Sequence, residues 1–309
     1  SQFVMPLNPF SLSECREFLG SRYVDQELMD AYLSLGGVPE YLKYIKGTGS
    51  VFESLCQNSF KKSAFFLDEY EKIFISSLAS NKYYKQIIEL LAHRKTMSRN
   101  EIAKSLKLRA GGTLSELLRD LELCGFIEKL TPYNLTEGSS LNRYVIADNY
   151  LQFYFKFILT LKSRILKNDF DKNPMRAINL DQYRKWLGFA FERWCRNNSY
   201  LIAGILGFSA VEYQAGAYFT RNHPDINAQI DLLFARKDRT LTVCEIKYQQ
   251  APVAKSVVAD FEHKLQCLKI EKNKTIQKVL ITASAPEPSL LRMHYFDRII
   301  TLEDLCQPQ

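Results

Sequence analysis

Apolar side chains recur at helical spacing through the first eighty positions of the chain. In NPFSLSECREFLGSR, Ser11 or Ser13 stands as an N-cap before an acidic first turn. DQELMDAYLSLGGVPEYLKYI reads as a helix closed at Gly36-Gly37, with Pro39 opening the next one. The helical spacing continues through SVFESLCQNSFKKSAFFLDEYEKIFISSLAS. From 83 to 131 the pattern tightens into three short amphipathic helices: YYKQIIELLAH, SRNEIAKSLKL and TLSELLRDLELCG. The second carries Ser98 and Glu101 at capping-box spacing, and Gly125 closes the third. FIEKLTPYN and RYVIADNY then alternate like two strands joined by the loop LTEGSSLN. Three helices and a hairpin are the order of a winged helix-turn-helix.

DNYLQFYFKFILTLKSRILKNDFDKN reads as a connecting helix running into a polar, charged linker. Beyond about 181 the pattern becomes mixed. DQYRKWLGFAFERWCRNNSYLIAGILG reads as one long helix with Gly207 near its end, followed by the strands SAVEYQAGAYF, QIDLLFA and TLTVCEIKY. KSVVADFEHKLQCLKIEKN is a helix, TIQKVLITAS a buried strand, and DRIITLEDL a closing strand and turn. This αβββαβ order predicts a mixed sheet with helices against it.

Composition narrows the class. The 309 residues suit two domains or three small ones, and 46% hydrophobic with 13% aromatic content suits filled cores rather than disorder. A net charge of +7 fits a polyanionic partner without demanding one. Seven cysteines form no CxxC pair and no disulfide-like spacing, which predicts reduced thiols and a cytoplasmic protein. Four scattered histidines make no zinc pattern. No apolar run reaches the length of a membrane span.

The chemistry concentrates in QIDLLFARKDRTLTVCEIKY, residues 229–248. Residues i and i+2 of a strand share a face. Leu241, Val243, Glu245 and Lys247 therefore point one way, and Thr242, Cys244, Ile246 and Tyr248 the other. A carboxylate and an ammonium stand side by side among apolar neighbours, with Asp231 on the adjacent strand. As a surface ion pair they would contribute little. Burying them without purpose would cost several kcal/mol, on the order of the desolvation penalty of each ion. As a site, two carboxylates supply oxygen ligands for Mg²⁺, and a neighbouring lysine can orient or deprotonate an attacking water. The third reading is a cluster that has lost activity and serves only for support or binding.

A helix glutamate, then Asp231 in QIDLL and Glu245 to Lys247 as EIK, then a helix and a strand, resembles the PD-(D/E)xK nuclease fold. The resemblance implies that Asp231 and Glu245 ligate Mg²⁺ (or Mn²⁺), helped by the main chain of the EIK strand. It implies that Lys247 is the general base or positions the water, and that Glu192 in FERWC supports the site from its helix. Isoleucine stands before Asp231 where the family often has proline. Lys264, on the next helix, lies where such folds add a further polar residue to the site.

Taken together, NPFSLSECREFL, LSLGGVPEYL, the winged-helix pattern and the terminal block resemble the archaeal-type AAA+ ATPase family in its C-terminal portion. The implied fold is α+β and multidomain. Residues 1–80 would be a helical lid remnant, 81–150 a winged helix, 151–180 a connecting helix and linker, and 181–309 the restriction-endonuclease-like domain. The GK[ST] phosphate loop is lacking, and KGTGS at 46–50 lacks its order, so no ATP binding is expected without the ATPase core, the implied partner in a full-length protein.

DNA is the expected polyanion, with Arg236, Lys237 and Arg239 at the hairpin tip, Lys264, and Arg119 on the third winged-helix helix as candidate contacts. That helix also carries Glu116, Asp120 and Glu122, so its outward face is not strongly basic. A catalytically silent DNA- or protein-binding regulatory module therefore stands as the alternative to a nuclease, and an oligomer is compatible with either.

Overall fold

In the computed structural model the chain divides into two units that part between Asn179 and Leu180. The described residues are 8–47, 49–76, 81–94, 96–108, 111–130, 142–219, 229–268 and 273–307. TPYN, the loop LTEGSSLN up to Leu141, and His223 lie outside them.

The first unit begins with helices α1 (Leu12–Leu19), α2 (Asp25–Leu35), α3 (Pro39–Lys43), α4 (Val51–Gln57) and α5 (Phe65–Ser76). Ser11 is the N-cap of α1, in a capping box with Glu14. Gly36 ends α2 at φ 72°, in the left-handed region that glycine adopts without strain. At Gly37 the demand is for space. Phe10 N–H donates to Gly37 O across 2.8 Å, and a Cβ on Gly37 would fall 2.0 Å from Phe10 O.

The unit continues with α6 (Lys82–Arg94), β1 (Met97–Ser98), α7 (Arg99–Leu106), α8 (Gly112–Leu123), β2 (Ile127–Leu130) and β3 (Arg143–Ile146). Ser98 and Glu101 form the capping box of α7. The strands pair antiparallel in the order β1-β3-β2. Ile87, Ile88, Leu91, Ile102, Leu114, Leu118 and Leu121 are buried where the helical spacing places them.

The alternation read through RYVIADNY stops at Ile146. Asp148 instead caps α9 (Asn149–Phe153), accepting from Leu151 N–H at 2.6 Å, and this cap overrides the strand pattern. A π turn over Tyr154–Ile158 leads into α10 (Leu159–Leu166). The segment read as a connecting helix packs inside this unit, α9 against α2 and the π turn against α5. Tyr150 O–H donates to Phe66 O at 2.8 Å, and Tyr154 stacks on Tyr70 with ring centroids 4.5 Å apart. A short 3₁₀ turn, Pro174–Ala177, closes the unit.

Burial pushes the Asp148 carboxyl up from 3.8 to about 6, against the pull of the Leu151 and Tyr150 N–H groups. The folded chain thus keeps a proton that the unfolded chain releases. Stability from this group is fully present below 3.8, falls as pH rises through the interval from 3.8 to about 6, and is level above it. Asp148→Asn keeps the capping oxygen and removes the charge. The expected result is a melting midpoint whose change with rising pH over this interval is more negative in the wild type than in the variant. Equal slopes would place the cause in another group.

The second unit contains α11 (Leu180–Asn197), α12 (Ser199–Ile205), β4 (Tyr213–Phe219), β5 (Gln229–Arg236) and β6 (Thr240–Lys247). Then follow α13 (Val257–Gln266), β7 (Thr275–Thr282), α14 (Pro288–Leu291), β8 (Arg298–Thr301) and α15 (Leu302–Cys306). Two expectations are corrected. The long helix breaks at Asn198, whose φ −105° and ψ 32° are not helical and whose side chain donates back to Trp194 O at 2.8 Å. The closing turn is the helix α15, started by a capping box of Thr301 and Asp304.

The sheet order is β4-β5-β6-β7-β8, antiparallel up to β6 and parallel beyond it, with α13 crossing from β6 to β7. Val257, Phe261 and Leu265 of α13 pack on Leu241, Val243 and Leu280. α11 packs against β4, β5 and β6, where Cys195 and Cys244 are both fully buried. Val243 and Cys244 are neighbours in sequence and so face opposite sides of the strand. The sheet is therefore sandwiched between α13 and α11. No helix of the described residues is long and apolar enough to cross a membrane.

Candidate functional site

β5 and β6 pair from Leu232↔Cys244 to Ala235↔Leu241. One step beyond the Leu232↔Cys244 rung stand Asp231 and Glu245. Opposed residues of an antiparallel pair share a face, so both carboxylates project to the same side. Here the Ile246 N–H donates to Asp231 Oδ2 at 3.2 Å. Asp231 is 7% exposed and Glu245 is fully buried.

Two ammonium groups meet these acids. Lys264, reaching from α13, places Nζ 2.6 Å from Glu245 Oε2 and 3.8 Å from Asp231 Oδ2. Lys247 Nζ lies 2.8 Å from Glu245 Oε1. That contact is an ion pair, and Oε1 accepts no hydrogen bond of regular geometry. The side chains of Lys264 and Lys247 are 21% and 31% exposed, so the cluster opens to solvent on its lysine side.

Glu192 stands at the edge of the cluster, on α11, 4.0 Å from Arg196. Arg196 Nη1 in turn donates to the main-chain oxygen of Asp231 at 3.4 Å. The role of Arg196 was missed in the sequence, although its i,i+4 spacing from Glu192 is a helix-pair signal.

The electrostatics are those of crowded acids. Burial raises Asp231, Lys264 pulls it down and Glu245 pushes it up again. Burial also raises Glu192, and Asp231 adds to the effect. For Lys247 burial acts to lower the ammonium, but Glu245 and Asp231 outweigh it and hold the group above its ordinary value. Lys247 therefore stays charged at neutral pH.

Two carboxylates with a main-chain strand beside them form an all-oxygen donor set, which a hard divalent cation takes along with several waters. The buried Oε1 of Glu245 without a regular hydrogen bond agrees with that role. Glu192 does not complete a cage. Among the described residues no three Asp, Glu, His or Cys side chains gather closely enough to hold a metal by themselves.

The basic residues read as DNA contacts are dispersed. The hairpin tip lies five residues along β5 from Asp231, about 16 Å at strand rise. There Arg236 is not free: it pairs with Asp238, donates to Gln277 Oε1 at 3.2 Å and sits 4.2 Å over the Phe208 ring. Lys237 is exposed beside Glu212 at 3.6 Å, and Arg239 is exposed in the turn at φ 64°. Arg119 is exposed on α8, in the first unit. Of the five candidate contacts, Lys264 alone belongs to the carboxylate cluster.

Over 195 residues, 62% of its length, the chain is 29% identical to the uncharacterized protein MJECL04 of Methanocaldococcus jannaschii. The match spans 41% of that relative. No family model matches, and no solved structure matches.

Proposed function

We propose that the second unit is a PD-(D/E)xK-type domain that hydrolyses DNA phosphodiester bonds with a divalent cation, Mg²⁺ or Mn²⁺. The first unit would be the helical lid remnant and winged helix of an archaeal-type AAA+ ATPase. One observation carries the proposal: Asp231 and Glu245 converge from neighbouring strands on one point, with Lys247 beside them and Glu192 at the rim.

Asp231 and Glu245 would hold the cation, which when bound polarises a phosphate and offsets its developing charge. Lys247, held as an ammonium by Glu245 and Asp231, orients the attacking water by donating a hydrogen bond to it. Glu192 and Arg196 fix the main chain at Asp231. The test is nicking of supercoiled plasmid by the full chain in Mg²⁺ or Mn²⁺. Absence of cleavage on single-stranded, duplex and branched DNA in either ion would overturn the enzyme.

A silent DNA-binding module is the second reading, favoured by the internal pairing of Glu245 with both lysines and of Asp231 with Lys264. It predicts DNA binding that weakens as salt rises and survives Asp231→Ala, since phosphate contacts release counterions whether or not the acids are present. Fluorescence anisotropy at several salt concentrations reads this directly. Salt-sensitive binding together with absent cleavage in the wild type would decide for the module.

A further inference from the structure

Counting charge in the cluster leads to a problem for any cation that enters it. Asp231 and Glu245 contribute two negative charges, and Lys247 and Lys264 two positive ones. The cluster is already neutral. A dication added to it would stand among two ammonium groups in a site where one carboxylate is fully buried and the other nearly so.

The two lysines are not equivalent. Lys247 projects from the same strand as Glu245 and pairs with Oε1. Lys264 arrives from the helix covering the sheet, and its Nζ lies within 4 Å of an oxygen of each acid. An ion bridging those two oxygens at about 2.0–2.6 Å, the range for Mg²⁺ or Ca²⁺, would need the volume where that ammonium sits. Lys264 also has a way out. Its four-carbon stem is flexible, and its side chain reaches solvent.

We infer that Lys264 is a resident counter-ion, seated between Asp231 and Glu245 in place of the divalent cation, and that the cation binds only by displacing it. Lys264 holds the metal-free cluster together and sets the cation concentration at which the site loads. This inference rests on the cation-dependent reading of the same acids.

The experiment is calorimetric titration of the full chain with MgCl₂ and MnCl₂, beside thermal melts with and without each ion. Lys264→Met keeps the length and apolar stem of the side chain and removes the charge. It is expected to bind Mg²⁺ at least tenfold more tightly than the wild type. Its metal-free melting midpoint should fall, and saturating Mg²⁺ should raise that midpoint by more than it raises the wild type's. The gain in affinity should vanish in Lys264→Met/Glu245→Gln. Lys255→Met, at an exposed lysine just before α13, controls for net charge.

If wild type binds Mg²⁺ and Lys264→Met binds it no more tightly, or if Lys255→Met tightens it equally, the counter-ion role is wrong while the proposed function stands. If neither wild type nor Lys264→Met binds Mg²⁺ or Mn²⁺, both fall. Should Lys264→Met fail to fold, Lys264→Gln, which retains a hydrogen-bond donor for Glu245, carries the same comparison.

Discussion

Asp231→Ala and Lys247→Ala are each expected to abolish cation-dependent DNA cleavage while leaving the far-ultraviolet circular dichroism of the chain unchanged. The two changes act on different parts of the cluster. Asp231 supplies one of the two acids, and without it the remaining carboxylate is already shared by two lysines. Lys247 supplies the ammonium next to Glu245 Oε1. Loss of a residue that positions or deprotonates an attacking water lowers rates by about 10²–10⁴-fold. Lys247→Arg should not restore the rate, because a guanidinium presents a planar fork rather than the point charge that orients the water. Initial rates of plasmid nicking at saturating Mg²⁺ provide the measurement. An Asp231→Ala protein that cuts at the wild-type rate would show that the activity arises elsewhere.

The parts of this arrangement that could be read from sequence are those decided by neighbours along the chain. Ser11 and Ser98 announce helix starts because a hydroxyl three residues before a glutamate satisfies two backbone donors locally. Gly36 and Gly37 mark an ending for two separate reasons, a left-handed φ and the close approach of Phe10. Period-two alternation puts Val243 and Glu245 on one face, and α13 packs Val257 and Phe261 onto that face.

Contacts distant in sequence carry no such signal. Nothing local to Lys264 shows that the crossover helix returns it to Glu245. The engagement of Arg236 with Phe208 and Gln277 likewise depends on elements far away in the chain, and a charged tip gives no hint of it. The break at Asn198 was hidden because apolar spacing continues into Ile202 and Ala203. Asp148 misled in the opposite direction, since RYVIADNY alternates well enough to suggest a strand through a residue that caps a helix.

Stability measurements should separate a cluster kept for chemistry from one kept for support. Lys264→Ala leaves two enclosed carboxylates with one ammonium and is expected to destabilise the second unit. Breaking a buried pair by removing one partner costs about 3–5 kcal/mol, and the partial exposure of Lys264 places it toward the lower end of that range. The informative comparison is the triple variant Asp231→Leu, Glu245→Met, Lys264→Met. It removes both acids and their bridging lysine together and extends the apolar surface of Val243 and Phe261. Lys247, already 31% exposed, can then turn toward water. Replacing a buried ionic group by apolar residues of similar volume is often neutral or stabilising by about 1–4 kcal/mol. The triple variant should therefore match or exceed the wild type in chemical denaturation while being inert toward DNA cleavage. That outcome would mean the ionic cluster costs the fold stability and persists for what it does to a ligand. A triple variant as unstable as Lys264→Ala would instead make the cluster a structural element, and the scaffold reading of the second unit would gain what the nuclease reading lost.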